Sequence, residues 1–232
     1  MENKTVVNVG AQAAVSDFFS KVFLWMAAGL VVSTLGSFWL LSQPQLLAVI
    51  VKSPWVFFGL AIVEIGLVVW LSAAVMSMSA GQASLLFMVY SFLNGITLSP
   101  LFLVYTGGSL VTTCVVAAGT FFFFALYGAA TKKDLTGVGS LAVMALFGVI
   151  LASLVNVFVK STALEWVVTF VAIAVFMGLI AWDTQRLKAM HAMAAENPEM
   201  EKRMVILGAL ALYLDFINLF IQLLKIFGKR RD

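Results

Sequence analysis

Of 232 residues, 62% are hydrophobic and only 11% are charged, whereas a water-soluble domain carries roughly 25% charged and 45 to 50% apolar residues. A soluble globular domain is excluded, because a chain of this size in water still has a large surface to cover with polar side chains; a secreted scaffold, a disordered chain and a nucleic-acid module fall with it. The net charge of +3 is the modest Lys and Arg excess that orients a protein in a bilayer.

Residues 1–20 carry Glu2, Lys4 and Asp17 among small residues, with no convincing cleavage site after them, and read as a short retained tail, not a signal peptide. The segment 21–228 then reads as one transmembrane domain. It holds seven apolar runs of about 20 residues, each enough to cross a hydrocarbon core of about 30 Å. The first runs from Val22 to Leu41 and ends at the polar Ser42, Gln43, Pro44, Gln45; the second spans Pro54 to Val75. The third spans Ala83 to Tyr105, where Pro100 predicts a break near Leu98 and Ser99. Thr106, Gly107, Gly108 and Ser109 predict a tight turn into the fourth run, Leu110 to Ala130. The fifth covers Leu141 to Val159, the sixth Trp166 to Leu187 and the last Met204 to Phe227, before a basic tail at 229–232. Stretches such as Phe121 to Phe124 and Val167 to Phe176 are apolar on every face, so the spans are helices, not strands of a barrel.

Counting Lys and Arg loop by loop sets the orientation. With the N-terminus in the cytoplasm, the inner side holds Lys4, Lys21, Lys132, Lys133, Arg186, Lys188, Lys202 and Arg203, and the outer loops only Lys52 and Lys160. The tail Lys229, Arg230, Arg231 complicates this count: seven full spans put it outside, whereas a re-entrant last segment returns it to the cytoplasm and is slightly favoured by charge alone. One cysteine, Cys114, precludes an intramolecular disulfide. The single His191, expected in a charged loop, leaves only oxygen ligands for any metal.

Most charges fall at span ends, where basic chains snorkel to the interface. Three acids do not: Glu64 near the middle of the second span, Asp183 about one turn inside the sixth, and Asp215 well inside the last. An Asp at a span centre costs about 2.5 to 3.5 kcal/mol on insertion scales, so each needs a partner, a proton or a water-filled cavity. Glu64 reads either as a hydrogen-bonded structural carboxyl or as part of a site. Asp183 reads either as an interfacial residue pairing with Arg186 or Lys188, or as a site residue. Asp215 has Tyr213 and Asn218 as polar neighbours and Gln222 two turns further along the same face, a stripe that must face other helices. Helical rise puts Asp183 and Asp215 about 7 and 12 Å from the cytoplasmic face, close enough to meet. Two such carboxylates do not both ionise comfortably in low dielectric, so one is expected to hold a proton and the two to titrate as a coupled pair. Deprotonated, they offer hard oxygen ligands for calcium. No phosphate loop or His-Glu-x-x-His motif is present, and Leu214 and Phe216 flank Asp215 where an intramembrane aspartyl protease has other residues, so no enzyme is expected.

Four segments then occur in order: Asn94, Gly95, Ile96, Thr97, Leu98, Ser99, Pro100; Thr131, Lys132, Lys133, Asp134, Leu135; Ala181, Trp182, Asp183, Thr184, Gln185; and Leu212 to Phe220 around Tyr213, Asp215 and Asn218. With them the span from about Phe18 to Phe227 resembles the Bax inhibitor-1 family, in particular its bacterial inner-membrane members. The resemblance implies an all-α membrane protein of seven transmembrane helices, the last central and wrapped by the other six, with the N-terminus cytoplasmic. It implies a pH-sensitive calcium leak, in which Asp183 and Asp215 form a hydrogen-bonded pair that senses pH and gates or coordinates calcium, and the acid often present in the second helix falls on Glu64; Tyr213 and Asn218, the polar neighbours of Asp215, are expected to support the pair. No cofactor is implied; calcium and protons are the cargo and the bilayer the surroundings. One departure stands out. A relative's basic run, with an arginine that pairs with the aspartates, falls on Ser77, Met78 and Ser79, and Lys132 and Lys133 are the possible substitutes. The rival function is a regulator that binds other membrane proteins, since some bacterial relatives resemble modulators of a membrane-bound AAA protease. Such a module would use exposed surfaces such as the 188–203 loop or the N-terminal tail. A carrier of small metabolites is a third option with no binding motif behind it.

Overall fold

The computed structural model describes residues 2–194 and 197–231, with side chains from residue 13 onward. Those residues form nine helical segments: α1 Glu2–Leu41, α2 Pro44–Lys52, α3 Pro54–Ala74, α4 Ala80–Leu98, α5 Leu101–Val104, α6 Gly107–Ala130, α7 Thr136–Val159, α8 Thr162–Ala194 and α9 Pro198–Phe227. Seven stretches are long and apolar enough to cross a membrane, Ala80–Val104 counting as one across α4 and α5. All seven expected spans are present. Their faces carry exposed apolar side chains such as Trp55 and Phe158, each 85% accessible, which is the surface that a helix presents to lipid.

Local chemistry sets the helix ends. Pro44 and Pro54 start α2 and α3, where the missing N–H costs nothing. Ser79 and Gln82 form a reciprocal capping box at the start of α4. Pro100 separates α4 from α5 at the expected place. Lys160 ends α7 with a left-handed backbone, φ 53°.

Three details differ from the sequence reading. The polar linker after the first span contains a further helix, α2, whose nine residues are too few to span a bilayer. The turn before the fourth span is shorter, because Thr106 caps α6 through its side chain and Gly107, Gly108 and Ser109 already belong to the helix. The stretch 188–203 is mostly helical: α8 runs on to Ala194 and α9 begins at Pro198. His191 therefore sits on a helix, its ring 5.2 Å from that of Phe18. Polar residues past a membrane boundary still satisfy their backbone groups best by continuing the helix.

The chain divides into two compact units, one made of residues 1–103 and 187–213, the other of 104–186 and 214–232. In the first, α1 packs along α4 and α3 also rests on α4. Small residues allow the close approach: a Cβ on Gly95 would stand 2.0 Å from the Ser33 carbonyl oxygen, and Ser37 Oγ donates to the Gly95 carbonyl at 2.6 Å. Gly29 and Ser33 thus serve packing within the chain. Near the start of α9, Lys21 bridges Asp17 and Glu201 at 2.6 and 2.9 Å, and Arg203 Nη1 donates to the Met76 carbonyl at 2.8 Å. An arginine thus reaches the segment beside Ser77 to Ser79, from α9.

In the second unit the C-terminal tail pairs with the linker before α6. The Thr106 N–H donates to the Lys229 carbonyl at 2.9 Å and the Arg231 N–H to the Val104 carbonyl at 2.8 Å. α9, 30 unbroken residues or about 45 Å of helix, is long and apolar enough for a full crossing, where charge counting slightly favoured a re-entrant segment. α9 is also the most enclosed span, with 67% of its apolar window buried against 39% or less in the others.

Candidate functional site

The structure puts the three intramembrane acids in two different settings. In the first unit Glu64, 7% exposed, lies midway along α3 and faces α4, where Asn94 and Thr97 stand three residues apart on one face. Asn94 Nδ2 donates to Glu64 Oε2 at 3.1 Å, and Thr97 Oγ1 donates to Oε1. The Tyr213 hydroxyl donates to Asn94 Oδ1 at 2.9 Å and lies 2.6 Å from Ser33 Oγ. Each hydroxyl has one proton. The Tyr213 proton goes to Asn94, so the donors run from Tyr213 through Asn94 to Glu64, while Ser33 Oγ also lies within donating distance of the Gly29 and Ser91 carbonyls, at 2.9 and 2.8 Å. The Tyr213 ring is fully buried and edge-on to Phe87 and Tyr90, at 5.7 and 5.9 Å between centroids. Both Glu64 oxygens are thus satisfied by elements packed in one unit.

The second unit holds the aspartates. Asp183, on α8, is half-buried, and Asp215, on α9, is 5% exposed. The two carboxyls lie close enough to interact with each other. Carboxylates only accept, so a hydrogen bond between them would need one shared proton. Asp215 Oδ2 is buried and meets no N–H or hydroxyl donor among the described residues. Arg186 comes within electrostatic reach of Asp183, yet its guanidinium lies over the Trp182 ring, 5.6 Å from the centroid. Asp183 therefore faces Asp215 as well as the cation one turn away.

Two glycines position this turn of α8, and nothing in the sequence alone singles them out. A Cβ on Gly128 of α6 would stand 2.1 Å from the Ala181 carbonyl oxygen, and one on Gly139 of α7 would stand 2.1 Å from the Trp182 ring. Two of the motif segments prove to be one structure. Gln185 accepts from the Leu135 N–H and donates to the Lys133 carbonyl, both at 2.8 Å, and so clasps the loop after α6 to α8. The Lys132 and Lys133 side chains are exposed, as befits residues that anchor a loop.

Of the five residues expected to form or support the site, the structure joins Asp183 with Asp215, and Glu64 with Tyr213 through Asn94. Asn218 joins neither set: its side chain donates back to the Leu214 carbonyl at 2.8 Å. Among the described residues no group of three or more His, Cys, Asp or Glu side chains is placed to hold a metal. A cation at the aspartate pair would keep part of its water shell.

Comparison with known proteins agrees with the four segments. The sequence pattern of the family described as inhibitor of apoptosis-promoting Bax1 matches residues 15–232. The chain is 43% identical over 224 residues to the inner membrane protein YbhL of Escherichia coli K12, covering 96% of each. It is 39% identical over 217 residues to a protein of Borreliella burgdorferi, covering 94% of each. It is 32% identical over 229 residues to a membrane protein of Streptococcus pyogenes serotype M1, covering 98% of this chain and 99% of that one. A match that takes in every span and both aspartates places this multi-pass membrane protein in the Bax inhibitor-1 family.

Proposed function

We propose that the chain is a pH-sensitive pathway for calcium leak across a bacterial inner membrane, with its N-terminus in the cytoplasm, and that Asp183 and Asp215 hold either one shared proton or one calcium ion. The observation that carries this reading is the buried Asp215 Oδ2, which meets no donor among the described residues while a second carboxyl, that of Asp183, lies within interaction distance of the same residue. A purely structural acid would be expected to have its donors. A bare carboxylate oxygen beside another carboxyl is a place for a proton or a hard cation. The inner-membrane setting rests on the E. coli relative's name and on the positive-inside count. The work assigned to the site is transport, not catalysis.

The sign follows from competition. Calcium binding needs both carboxyls ionised, so the proton must leave first, and occupancy rises with pH. The test is calcium flux into liposomes holding the purified protein across a pH series, for the native chain, Asp183→Asn and Asp215→Asn. Flux that depends on pH in the native chain and loses that dependence in either variant supports the reading. A native chain that passes no calcium at any pH overturns it in favour of a regulator that binds other membrane proteins.

A further inference from the structure

Within the second unit, the end of α7, the start of α8 and the end of α9 line two recesses that share Glu165 and Lys225. Lys160 lines one of them and Arg230 the other. The three cations reach this cleft from different parts of the chain. Lys160 follows the last residue of α7, and Lys225 sits in the last turn of α9. Arg230 is brought in by the tail, where it pairs with Tyr105 while the backbones of its neighbours Lys229 and Arg231 bond to the linker before α6. A lysine at a helix C-terminus is explained by the helix dipole alone. An arginine carried to the same cleft by a clasped tail is not. Among the described residues none of the three forms a salt bridge, and Glu165, the one acid in the lining, acts on Lys225 only at longer range.

Three cations against one acid leave a positive surplus that an anion would neutralise. The recesses measure about 380 and 270 Å³, many times the roughly 30 Å³ share of one water, so a headgroup fits where a bare ion would be loose. Part of the lining is apolar and exposed: Val157 in the first recess and Trp166 in the second, 57% and 45% accessible. Trp is the residue that settles at the membrane–water interface, and a free phosphate has no use for either side chain. We infer that this cleft binds the phosphodiester headgroup of an anionic phospholipid, with Lys160, Lys225 and Arg230 toward the phosphate and Val157 and Trp166 beside the acyl chains. In the orientation proposed above the cleft meets the outer leaflet, the side on which charge patterning places few cations, and a bound lipid accounts for their presence there. The inference depends on that orientation only for the leaflet, and it does not depend on the calcium reading.

The experiment is native mass spectrometry of the full chain in detergent micelles titrated with phosphatidylglycerol, phosphatidylcholine or inorganic phosphate. The native chain should hold phosphatidylglycerol about tenfold more tightly than phosphatidylcholine, and Arg230→Gln should weaken that binding about tenfold through loss of one charge-assisted contact. Lys132→Gln, which removes a cation from the loop before the other end of α7, should leave it unchanged. Glu165→Gln should tighten it, because the acid opposes the phosphate, and a variant that merely packs badly does not gain affinity. Equal retention of the two lipids overturns the proposal, as does an equal loss from Lys132→Gln or a loss from Glu165→Gln. Inorganic phosphate bound as tightly as phosphatidylglycerol would make the cleft a site for a free anion and overturn the lipid assignment.

Discussion

Glu64 and Asp215 are both acids buried among apolar helices, at 7% and 5% exposure, and their surroundings are opposite. Glu64 receives Asn94 and Thr97, and the Tyr213 hydroxyl donates to Asn94 behind them. Asp215 receives another acid and keeps one oxygen bare. A completed network fixes one arrangement of its helices, since any displacement strands several polar groups at once. An incomplete one leaves room for an exchangeable partner. Burial alone therefore does not distinguish the two acids; the donors around them do.

The largest expected effect comes from Asp215→Asn. An amide neither shares a proton with Asp183 nor offers calcium a charge, so the pH dependence of flux should vanish, and flux at high pH should fall about tenfold or more. If the variant retains the native pH profile in liposomes, the contrast between the two acids has no functional meaning.

Removing the hub of the completed network should act on stability instead. Asn94→Ala strands Glu64 Oε2 and the Tyr213 hydroxyl together, and the cost should be about 2 kcal/mol, toward the upper end of the effects measured for buried hydrogen bonds in membrane proteins. Thermal unfolding in detergent reads this loss. The midpoint of the pH response in flux should stay in place, because the aspartates belong to the other unit. A midpoint that moves with Asn94→Ala would show that the two acids work together.

Glu64→Gln sharpens the same distinction at smaller cost. The amide carbonyl accepts from Thr97 or Asn94, but its NH2 then opposes the remaining donor, so a loss of about 1 kcal/mol is expected in the same unfolding measurement. Tyr213→Phe should cost a similar or smaller amount, since it keeps the ring packing on Phe87 and Tyr90 and removes one hydroxyl. A pH-dependent flux that survives both variants confines proton sensing to Asp183 and Asp215.

Much of this was legible in the sequence. Span length and insertion cost located seven helices and three acids, because the bilayer imposes both rules along the chain. The sequence did not reveal which acid was satisfied. Asn94 and Thr97 look the same in sequence whether they turn toward Glu64 or elsewhere, and Asn218, as polar as Asn94 and closer to Asp215 along the chain, donates back to its own helix. Nor did it single out Gly128 and Gly139, since glycine is frequent in membrane helices and only the packing against Ala181 and Trp182 gives these two a role. The place of the tail was likewise ambiguous by charge, and the backbone bonds to Val104 and Thr106 put it against the linker before α6.

The smallest effect concerns an acid outside the spans. Asp134, in the loop between α6 and α7, is exposed, and its Oδ1 accepts from the Thr136 hydroxyl at 2.6 Å and the Thr136 N–H at 2.9 Å. These bonds favour the ionised form and hold its carboxyl below the usual carboxylate range. A folded-state value that is depressed contributes stability above the ordinary carboxylate range, and that contribution is lost as pH falls through the depressed value. Protection of the Thr136 amide from hydrogen exchange should therefore weaken only in strong acid in the native chain, and Asp134→Asn should remove that acid dependence. The same variant separates the loop from the pair. Because Asp134 lies in water with its donors already supplied, Asp134→Asn should leave the flux profile unchanged; a shift would mean that the loop clasped by Gln185, rather than the bare carboxyl of Asp215, carries the response to protons.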